Sequence, residues 1–175
     1  MNKKLSLSEL NRPTIEEFEE QEKIRVVVIL DNIRSLSNVG SIFRTCDGFS
    51  VEKVVLCGIT GRPPHRDIQR TALGATESVP WEYVENIMEC LIDYKTIGYK
   101  IASIEQCEES IGPQELSKHK TPICLILGNE VEGVNQNVVD QSDFVIEIPQ
   151  TGTKHSFNVT VAAGIVLWEC FKSRT

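Results

Sequence analysis

The chain has 175 residues, of which 41% are hydrophobic and 25% are charged, and its formal net charge is −7 with a pI of about 5.1. This length fits one domain with its own core, and the acidic balance argues against a general nucleic-acid coat protein, which is usually basic. No apolar run approaches the ~20 residues of a membrane-spanning helix, and the polar first residues do not have the pattern of a secretory signal.

Strand and helix signals alternate along the chain. Residues 1–22 are polar and acidic, which predicts an arm or a lead-in helix, and residues 23–175 form one predicted domain. Continuous apolar or β-branched runs predict strands at 25–30, 54–57, 79–84, 99–104, 123–127 and 144–148. Helical spacing predicts helices that begin near Asn38 or span 67–73, 85–97, 135–140 and 158–171, with Gly74 and Gly98 ending two of them. The last helix is apolar nearly all round and is therefore expected to be buried. The alternation predicts an α/β fold with a mostly parallel sheet and helices on both faces.

Three polar segments that carry glycines each follow a predicted strand. They are the segments 38–44 (NVGSIFR), 128–133 (GNEVEG) and 148–159 (IPQTGTKHSFNV). In open parallel sheets, ligands bind beyond the carboxyl ends of the strands, where loops and helix N-termini converge. The three segments are therefore expected to build one composite site.

Each polar residue in these segments also has a purely structural interpretation. Arg44 lies roughly 140° round the helix from Val39, at about 100° per residue, so it points away from the core and is either a solvated surface residue or a functional one. Asn38, and one of Ser156 and Asn158, are candidates for helix N-caps. Gly40 is a place where another backbone can approach closely, and Glu130, so near a buried strand end, either faces water or needs partners.

Several common α/β enzyme classes lack their signature here. The sequence contains no phosphate-binding G-x-x-x-x-G-K-[ST] loop, no G-x-G-x-x-G after the first strand and no G-x-S-x-G elbow. These absences argue against kinases, dehydrogenases and hydrolases. His65, His119 and His155 have no metal-ligand spacing, and the six cysteines form no C-x-x-C pair. We therefore expect no metal site, and we interpret the cysteines as buried, reduced thiols of a cytosolic protein.

Taken in order, the three segments resemble the motifs of the SpoU (TrmH) class of the SPOUT RNA methyltransferase superfamily. The first motif, N-x-G-x-x-x-R, is matched by Asn38, Gly40 and Arg44. The second, an apolar strand followed by G-x-E-x-x-G, is matched by Leu127, Gly128, Glu130 and Gly133. The third, I-P-M-x-G and then S-L-N-V before a helix, is matched by Ile148 to Gly152 and by Ser156 to Val159. Gln150 replaces the usual methionine and Phe157 the usual leucine, so Phe157 is expected to change the shape of the cofactor pocket wall.

The resemblance implies a fold, a cofactor and a reaction. The C-terminal segment would thread a loop to form a trefoil knot, which sequence rules alone would argue against. S-adenosylmethionine would bind in the knot and supply a methyl group to a ribose 2′-hydroxyl of RNA. The cofactor-binding residues implied are Leu127, Gly128, Gly133, Ile148, Gly152 and Phe157. The protein would work as a homodimer with its active site near the subunit interface.

The resemblance also assigns catalytic roles. Arg44 is the implied base, assisted by an RNA phosphate. Free arginine rarely gives up its proton, however, so a phosphate clamp that orients the ribose is the alternative. Asn38, Glu130, Ser156 and Asn158 are expected to position groups in the same site.

RNA phosphates are expected to contact exposed cations, so that binding weakens as salt rises. The residues predicted for this role are Arg34, Arg62, Arg66, Arg70 and Lys154. Transfer RNA is the preferred substrate and ribosomal RNA the alternative. The alternative functions are those of a non-catalytic RNA-binding module of the same fold, a base methyltransferase and a nucleotide-binding oxidoreductase.

Overall fold

The structure, a computed structural model, describes residues 2–174. Seven strands form one sheet in which every pairing is parallel, in the order β3-β2-β1-β6-β4-β7-β5. The strands are β1 Ile24–Asp31, β2 Val51–Cys57, β3 Trp81–Val84, β4 Lys100–Ile104, β5 Ser110–Ile111, β6 Ile123–Leu127 and β7 Phe144–Ile146. The predicted parallel sheet is confirmed.

Seven α-helices connect and cover these strands. They are α1 Ile15–Glu20, α2 Leu36–Gly48, α3 Arg66–Ala72, α4 Ala75–Ser78, α5 Ile87–Thr96, α6 Gln136–Gln141 and α7 Val159–Arg174. Two short 3₁₀ helices span Leu7–Leu10 and Pro113–Lys118. None of the helices between residues 2 and 174 has the length and apolar character needed to span a bilayer.

Strand β1, which lies inside the sheet between β2 and β6, is buried on both of its faces, and one core lies on each side of it. Val26, Val28 and Leu30 point to a core that is shared with α2, α3 and α7. Val27 and Ile29 point to the opposite core, which α5 and α6 cover. Fully burying each such side chain stabilises the fold by about 1.5–3 kcal/mol. The prediction of helices on both faces is confirmed.

Helix α2 presents the expected apolar face, but it begins two residues earlier than predicted. Its buried side chains include Val39, Ile42, Phe43 and Cys46, and its N-cap is Ser35, whose Oγ accepts a hydrogen bond from the Asn38 N–H at 3.4 Å. Serine caps a helix as well as asparagine does, and here Ser35 is the N-cap, so the helix begins at Leu36. The interpretation of Asn38 as the N-cap is therefore wrong.

Gly40 marks the closest contact between α2 and α3. A Cβ at this position would lie 2.2 Å from the carbonyl oxygen of Ile68 and 2.2 Å from Oγ1 of Thr71. The Thr71 hydroxyl also donates to the carbonyl of Ser37 at 3.0 Å. Gly40 thus serves helix packing, as its structural interpretation proposed, and it holds α3 beside α2.

One further helix boundary and one burial pattern differ from the prediction. Helix α3 ends at Ala72, and the next residue, Leu73, adopts the left-handed conformation (φ +50°), as Gly74 does after it (φ +92°); Gly74 is the N-cap of the unpredicted helix α4. The C-terminal helix α7 is not buried all round, because Val161 and Trp168 are 47% and 48% exposed. The helix buries one apolar face against the core and exposes a second apolar face to solvent. Because both faces are apolar, the periodicity of the sequence could not show which one is buried.

The N-terminal residues divide into an exposed and a docked part. Residues 2–14 are exposed throughout, whereas Phe18 in α1 is buried in the core that contains α2. Thr14 caps α1, accepting a hydrogen bond from the Glu17 N–H at 3.2 Å while the Glu17 carboxylate accepts one from the Thr14 N–H at 2.8 Å. The division into residues 1–22 and 23–175 stays a prediction, and Met1 lies outside the described residues.

Candidate active site

A cavity of about 680 Å³ opens at the carboxyl ends of three neighbouring strands, β6, β4 and β7. Its walls come from the residues at and after these strand ends and from the segment before α7. The lining includes Ile104, Glu105, Gln106, Leu127 to Val134, Ile146, Ile148 and His155 to Val159. This volume lies within the range of small-molecule sites, about 300–1,000 Å³.

The segment 128–133 forms a tight loop that the Asn129 side chain organises. The Asn129 Oδ1 accepts hydrogen bonds from the N–H groups of Val131 and Glu132 at 2.9 and 3.2 Å, and its Nδ2 donates to the carbonyl of Asn32 at 2.8 Å. The loop closes where the Gly133 N–H donates to the Asn129 carbonyl at 2.9 Å. One side chain therefore shapes the loop and attaches it to the end of β1.

Two glycines allow this closure for different reasons. Gly133 has a φ of +70°, which L side chains rarely adopt. A Cβ on Gly128 would lie 2.3 Å from the carbonyl carbon of Gly133 and 2.4 Å from the Val134 nitrogen. At both positions the cavity wall is formed by backbone atoms alone.

Glu130 joins this loop to the start of α2. Its carboxylate accepts hydrogen bonds from the N–H groups of Arg34 and Ser35 at 2.9 and 3.0 Å, and from Nδ2 of Asn38 at 2.9 Å. Burial raises the pKa of Glu130, but these three donors outweigh it and hold the pKa below its ordinary value. Two of the three sequence segments therefore meet in one hydrogen-bonded cluster.

Glu130→Gln is expected to destabilise the protein by about 1–2 kcal/mol at pH 7, because an amide cannot accept from all three donors. The folded carboxyl has the lower pKa, so its contribution is fully present above about pH 4.5 and is lost as the pH falls through the folded pKa. Urea unfolding of both proteins at pH 7 and pH 4 should show the difference shrinking in acid. Glu132→Gln, an exposed change in the same loop, is the control, and a pH-independent difference would contradict the assignment.

The third segment closes the cavity from the side of α7. Oδ1 of Asn158 accepts hydrogen bonds from the N–H and the hydroxyl of Thr160 at 2.8 and 2.6 Å, so Asn158 caps α7, as its structural interpretation proposed. Ser156, Phe157 and Ile148 line the cavity together with Asn158. Phe157 is 41% exposed, so its ring stands at the mouth of the cavity, where the family pattern has leucine.

Not every predicted residue reaches this cavity. Leu127, Gly128 and Gly133 line it, whereas Gly152 does not. Asn38 does not line the cavity, but its side chain donates a hydrogen bond to Glu130, which does. Arg44 lies outside the lining and is exposed, six residues and therefore about 9 Å along α2 from Asn38. Within residues 2–174, no hydrogen bond or ion pair engages the Arg44 side chain.

The cations predicted to contact RNA are all exposed. Arg34, Arg66, Arg70 and Lys154 point to solvent, and the Arg62 guanidinium lies over the Tyr83 ring at 4.3 Å from its centroid. Arg66 and Arg70 lie on α3, which packs against α2. No group of three or more His, Cys, Asp or Glu side chains in the described part of the chain is arranged to hold a metal ion. All six cysteines are free, and all but the half-buried Cys107 are buried.

A statistical model of the SpoU rRNA Methylase family matches residues 25–168, which include all three segments and every strand from β2 to β7. The chain belongs to this SpoU family. The curated tRNA (guanosine(18)-2′-O)-methyltransferase of Aquifex aeolicus is 31% identical over 160 residues, covering 91% of this chain and 75% of that protein. The chain spans 64% and 61% of the length of two other curated relatives that it matches.

Solved structures of RNA-modifying enzymes have the same fold. The A. aeolicus TrmH/SpoU tRNA modifying enzyme aligns with a TM-score of 0.82 and 30% identity, over 91% of this chain and 80% of that one. An AdoMet-bound rRNA methyltransferase from Sinorhizobium meliloti aligns with a TM-score of 0.77 and 24% identity, over 86% of this chain and 60% of that one. The second likeness bears on the fold alone.

Three residues that shape or line the cavity were not predicted from the sequence. Asn129 shapes the loop, and Glu105 and Gln106 contribute to the cavity from β4. Asn129 follows Gly128 directly, so its position in the loop was visible but not its bonds. Glu105 follows a buried strand, the same signal that singled out Glu130.

Proposed function

We propose that this protein transfers a methyl group from S-adenosylmethionine to a ribose 2′-hydroxyl of RNA, with tRNA as the preferred substrate. The observation that carries the proposal is the SpoU family match over the three strand ends that enclose the cavity. The name of the A. aeolicus relative supports both the 2′-hydroxyl and tRNA. Ribosomal RNA is the alternative substrate, in keeping with the name of the family.

The cavity fits S-adenosylmethionine in size and in charge. Three acidic residues, Glu105, Glu130 and Glu132, are among its lining residues, and their negative charge favours a ligand that carries a sulfonium and an ammonium group. The absence of Cβ atoms at Gly128 and Gly133 lets the loop close tightly at the cavity wall, where its backbone groups can bind a nucleoside edge. The residues that would hold the cofactor are Leu127, Gly128, Gly133, Ile148 and Phe157, with Gly152 in the segment beyond them.

The cofactor supplies an activated methyl group, so the chain needs to align the acceptor and assist the loss of its proton. Alignment of this kind can contribute roughly 7–11 kcal/mol to the barrier. Glu130 and Asn38 fix the start of α2 relative to the cavity wall, and α2 carries Arg44. Arg44 then acts on the ribose, either by taking the hydroxyl proton with help from an RNA phosphate or by clamping that phosphate. Ser156 and Asn158 position the segment on the other side.

Electrostatic contacts to phosphates would hold the RNA. Arg34 follows β1, Arg62, Arg66 and Arg70 belong to the β2–α4 region, and Lys154 lies in the loop before α7. All of these side chains are exposed, so they can reach a polyanion without a change of fold. Binding through them falls as the salt concentration rises.

We propose a homodimer as the working form, with the active site near its interface. Two observations support it: Arg44 lies outside the cavity of its own chain, and α7 exposes the apolar side chains of Val161 and Trp168. Phe49 and Phe171 pack beside Trp168, with ring centroids 6.1 Å from it, and extend the same apolar region. A second copy that covers this face would remove apolar area from water.

Two further features belong to the same proposal. A C-terminal trefoil knot is proposed from family membership, and the hydrogen bond from Gln106 after β4 to the His155 carbonyl, in the segment before α7, is in keeping with it. A cytoplasmic location is proposed from the RNA substrate and from six free cysteines.

Labelled S-adenosylmethionine, incubated with the protein and either a tRNA or an rRNA pool, tests the proposal. Digestion to nucleosides is expected to put the label in 2′-O-methylnucleosides of the tRNA pool. Arg12→Ala, which changes an exposed arginine outside the family match, serves as the matched active control. Label on bases would contradict ribose methylation. Absence of label from both pools would favour an RNA-binding module without catalysis.

A further inference from the structure

We propose that Glu105 and Gln106 are positioning residues that hold together the two loops of the cofactor cavity. This inference rests on the proposed function for its cofactor, and on the structure alone for its geometry. Glu105 is the first residue after β4, and its N–H donates to the carbonyl of Ile146 in β7 at 3.1 Å. The backbone of this residue is therefore fixed between two strands.

The Glu105 carboxylate binds the end of the Gly128–Gly133 loop. Its Oε2 accepts a hydrogen bond from the Val134 N–H at 2.9 Å, and its Oε1 accepts one from the Gln106 N–H at 2.8 Å. A Cβ on Gly133 would lie 2.1 Å from Oε2, so the carboxylate rests on the Gly133 backbone at a distance that only glycine permits. Bonds from an ionised acceptor are roughly twice as strong as neutral ones.

Gln106 reaches the other loop. Its Nε2 donates to the carbonyl of His155, in the segment that leads through Ser156 and Phe157 into α7. Both loops line the cavity, and Gln106 lines it as well. Two successive residues after one strand thus fix two cavity walls that are distant in the sequence. Neither residue belongs to the three motifs, so part of the pocket geometry is set at a position outside them.

Glu105→Gln tests the proposal, because it keeps the size of the side chain but leaves one acceptor oxygen for two N–H groups. We expect the KM for S-adenosylmethionine and the Kd for S-adenosylhomocysteine to rise about tenfold, since a charge-assisted bond is lost. The KM for RNA should stay within about twofold of the wild-type value. Glu108→Gln is the matched control, because it removes the same charge from an exposed position in the same loop.

A second readout does not depend on the cofactor. Amide hydrogen exchange of peptides that cover residues 128–134 is expected to speed up about tenfold in Glu105→Gln and not in Glu108→Gln. A general structural role would instead lower kcat with the folded fraction, leave the KM for S-adenosylmethionine unchanged and speed exchange in all peptides alike, which would overturn the proposal. If the wild type fails to bind S-adenosylmethionine, the proposed function fails, and exchange alone still decides whether Glu105 positions the loop.

Discussion

Arg44→Ala is expected to lower kcat for methyl transfer by a factor of about 10²–10⁴, while the protein stays folded. Removing a group that assists proton transfer or stabilises charge in the transition state has effects of this size. Arg44 is exposed on α2, roughly 140° round the helix from the buried Val39, so its loss leaves the core intact. Steady-state kinetics with labelled S-adenosylmethionine and tRNA measure the change, and the unfolding midpoint should move little.

The kinetic pattern also separates the two roles of Arg44. If the side chain clamps a phosphate, Arg44→Lys should recover part of the rate, and Arg44→Ala should raise the KM for RNA as well as lower kcat. If it takes the hydroxyl proton, lysine should recover little and the KM for RNA should change less. Arg12→Ala is the control for loss of an exposed arginine. Normal turnover in Arg44→Ala would remove Arg44 from the mechanism altogether.

The sheet and its site edge were predictable because buried strands carry a simple signal. The run Ile123–Leu127 is apolar on both faces and is bounded by Pro122 and Gly128, and β6 has these limits in the structure. The loops after such strands could then be assigned to one edge. Strand β5 was missed because Ser110 and Ile111 are too short a pair to show any periodicity.

Helix boundaries were less predictable because several residues compete for the same role. Ser35 and Asn38 are both good N-caps, and only the position of Glu130 across the sheet edge decides between them, since it binds Asn38 as well as the N–H of Ser35. At the other end of a helix, Leu73 adopts the left-handed conformation that would have been assigned to Gly74. The contact with Glu130 settles the first case, and the local sequence does not contain it.

The motif residues of the site could be predicted from the sequence, but the hydrogen bonds that hold its loops in place could not. Gly128, Glu130 and Asn158 stand in recognisable segments, whereas Glu105 stands alone after β4 and binds a loop 29 positions along the chain. An acid that follows a buried strand needs partners, and this rule applied to Glu105 as well as to Glu130. Sequence spacing gives no hint of which partner is chosen, because that depends on the order of strands in the sheet.

Gly128→Ala is expected to lower affinity for S-adenosylmethionine at least tenfold and to destabilise the fold by about 1–3 kcal/mol. The new Cβ would lie 2.3–2.4 Å from backbone atoms of Gly133 and Val134, and backbone cannot rotate away as a side chain does. The loop must therefore shift, and with it the groups that Asn129, Glu130 and Glu105 hold in place. Calorimetric titration and urea unfolding measure the two effects.

Gly48→Ala is the matched control, because a Cβ at Gly48 meets nothing within 4 Å and its backbone is not left-handed. The control should bind S-adenosylmethionine like the wild type and be no less stable. If Gly128→Ala instead loses stability but binds the cofactor normally, the closure of the loop matters to folding alone and the cofactor lies elsewhere in the cavity. If Gly128→Ala loses both stability and affinity for S-adenosylmethionine while Gly48→Ala keeps both, cofactor binding depends on the contact of Gly128 with the backbone of Gly133 and Val134.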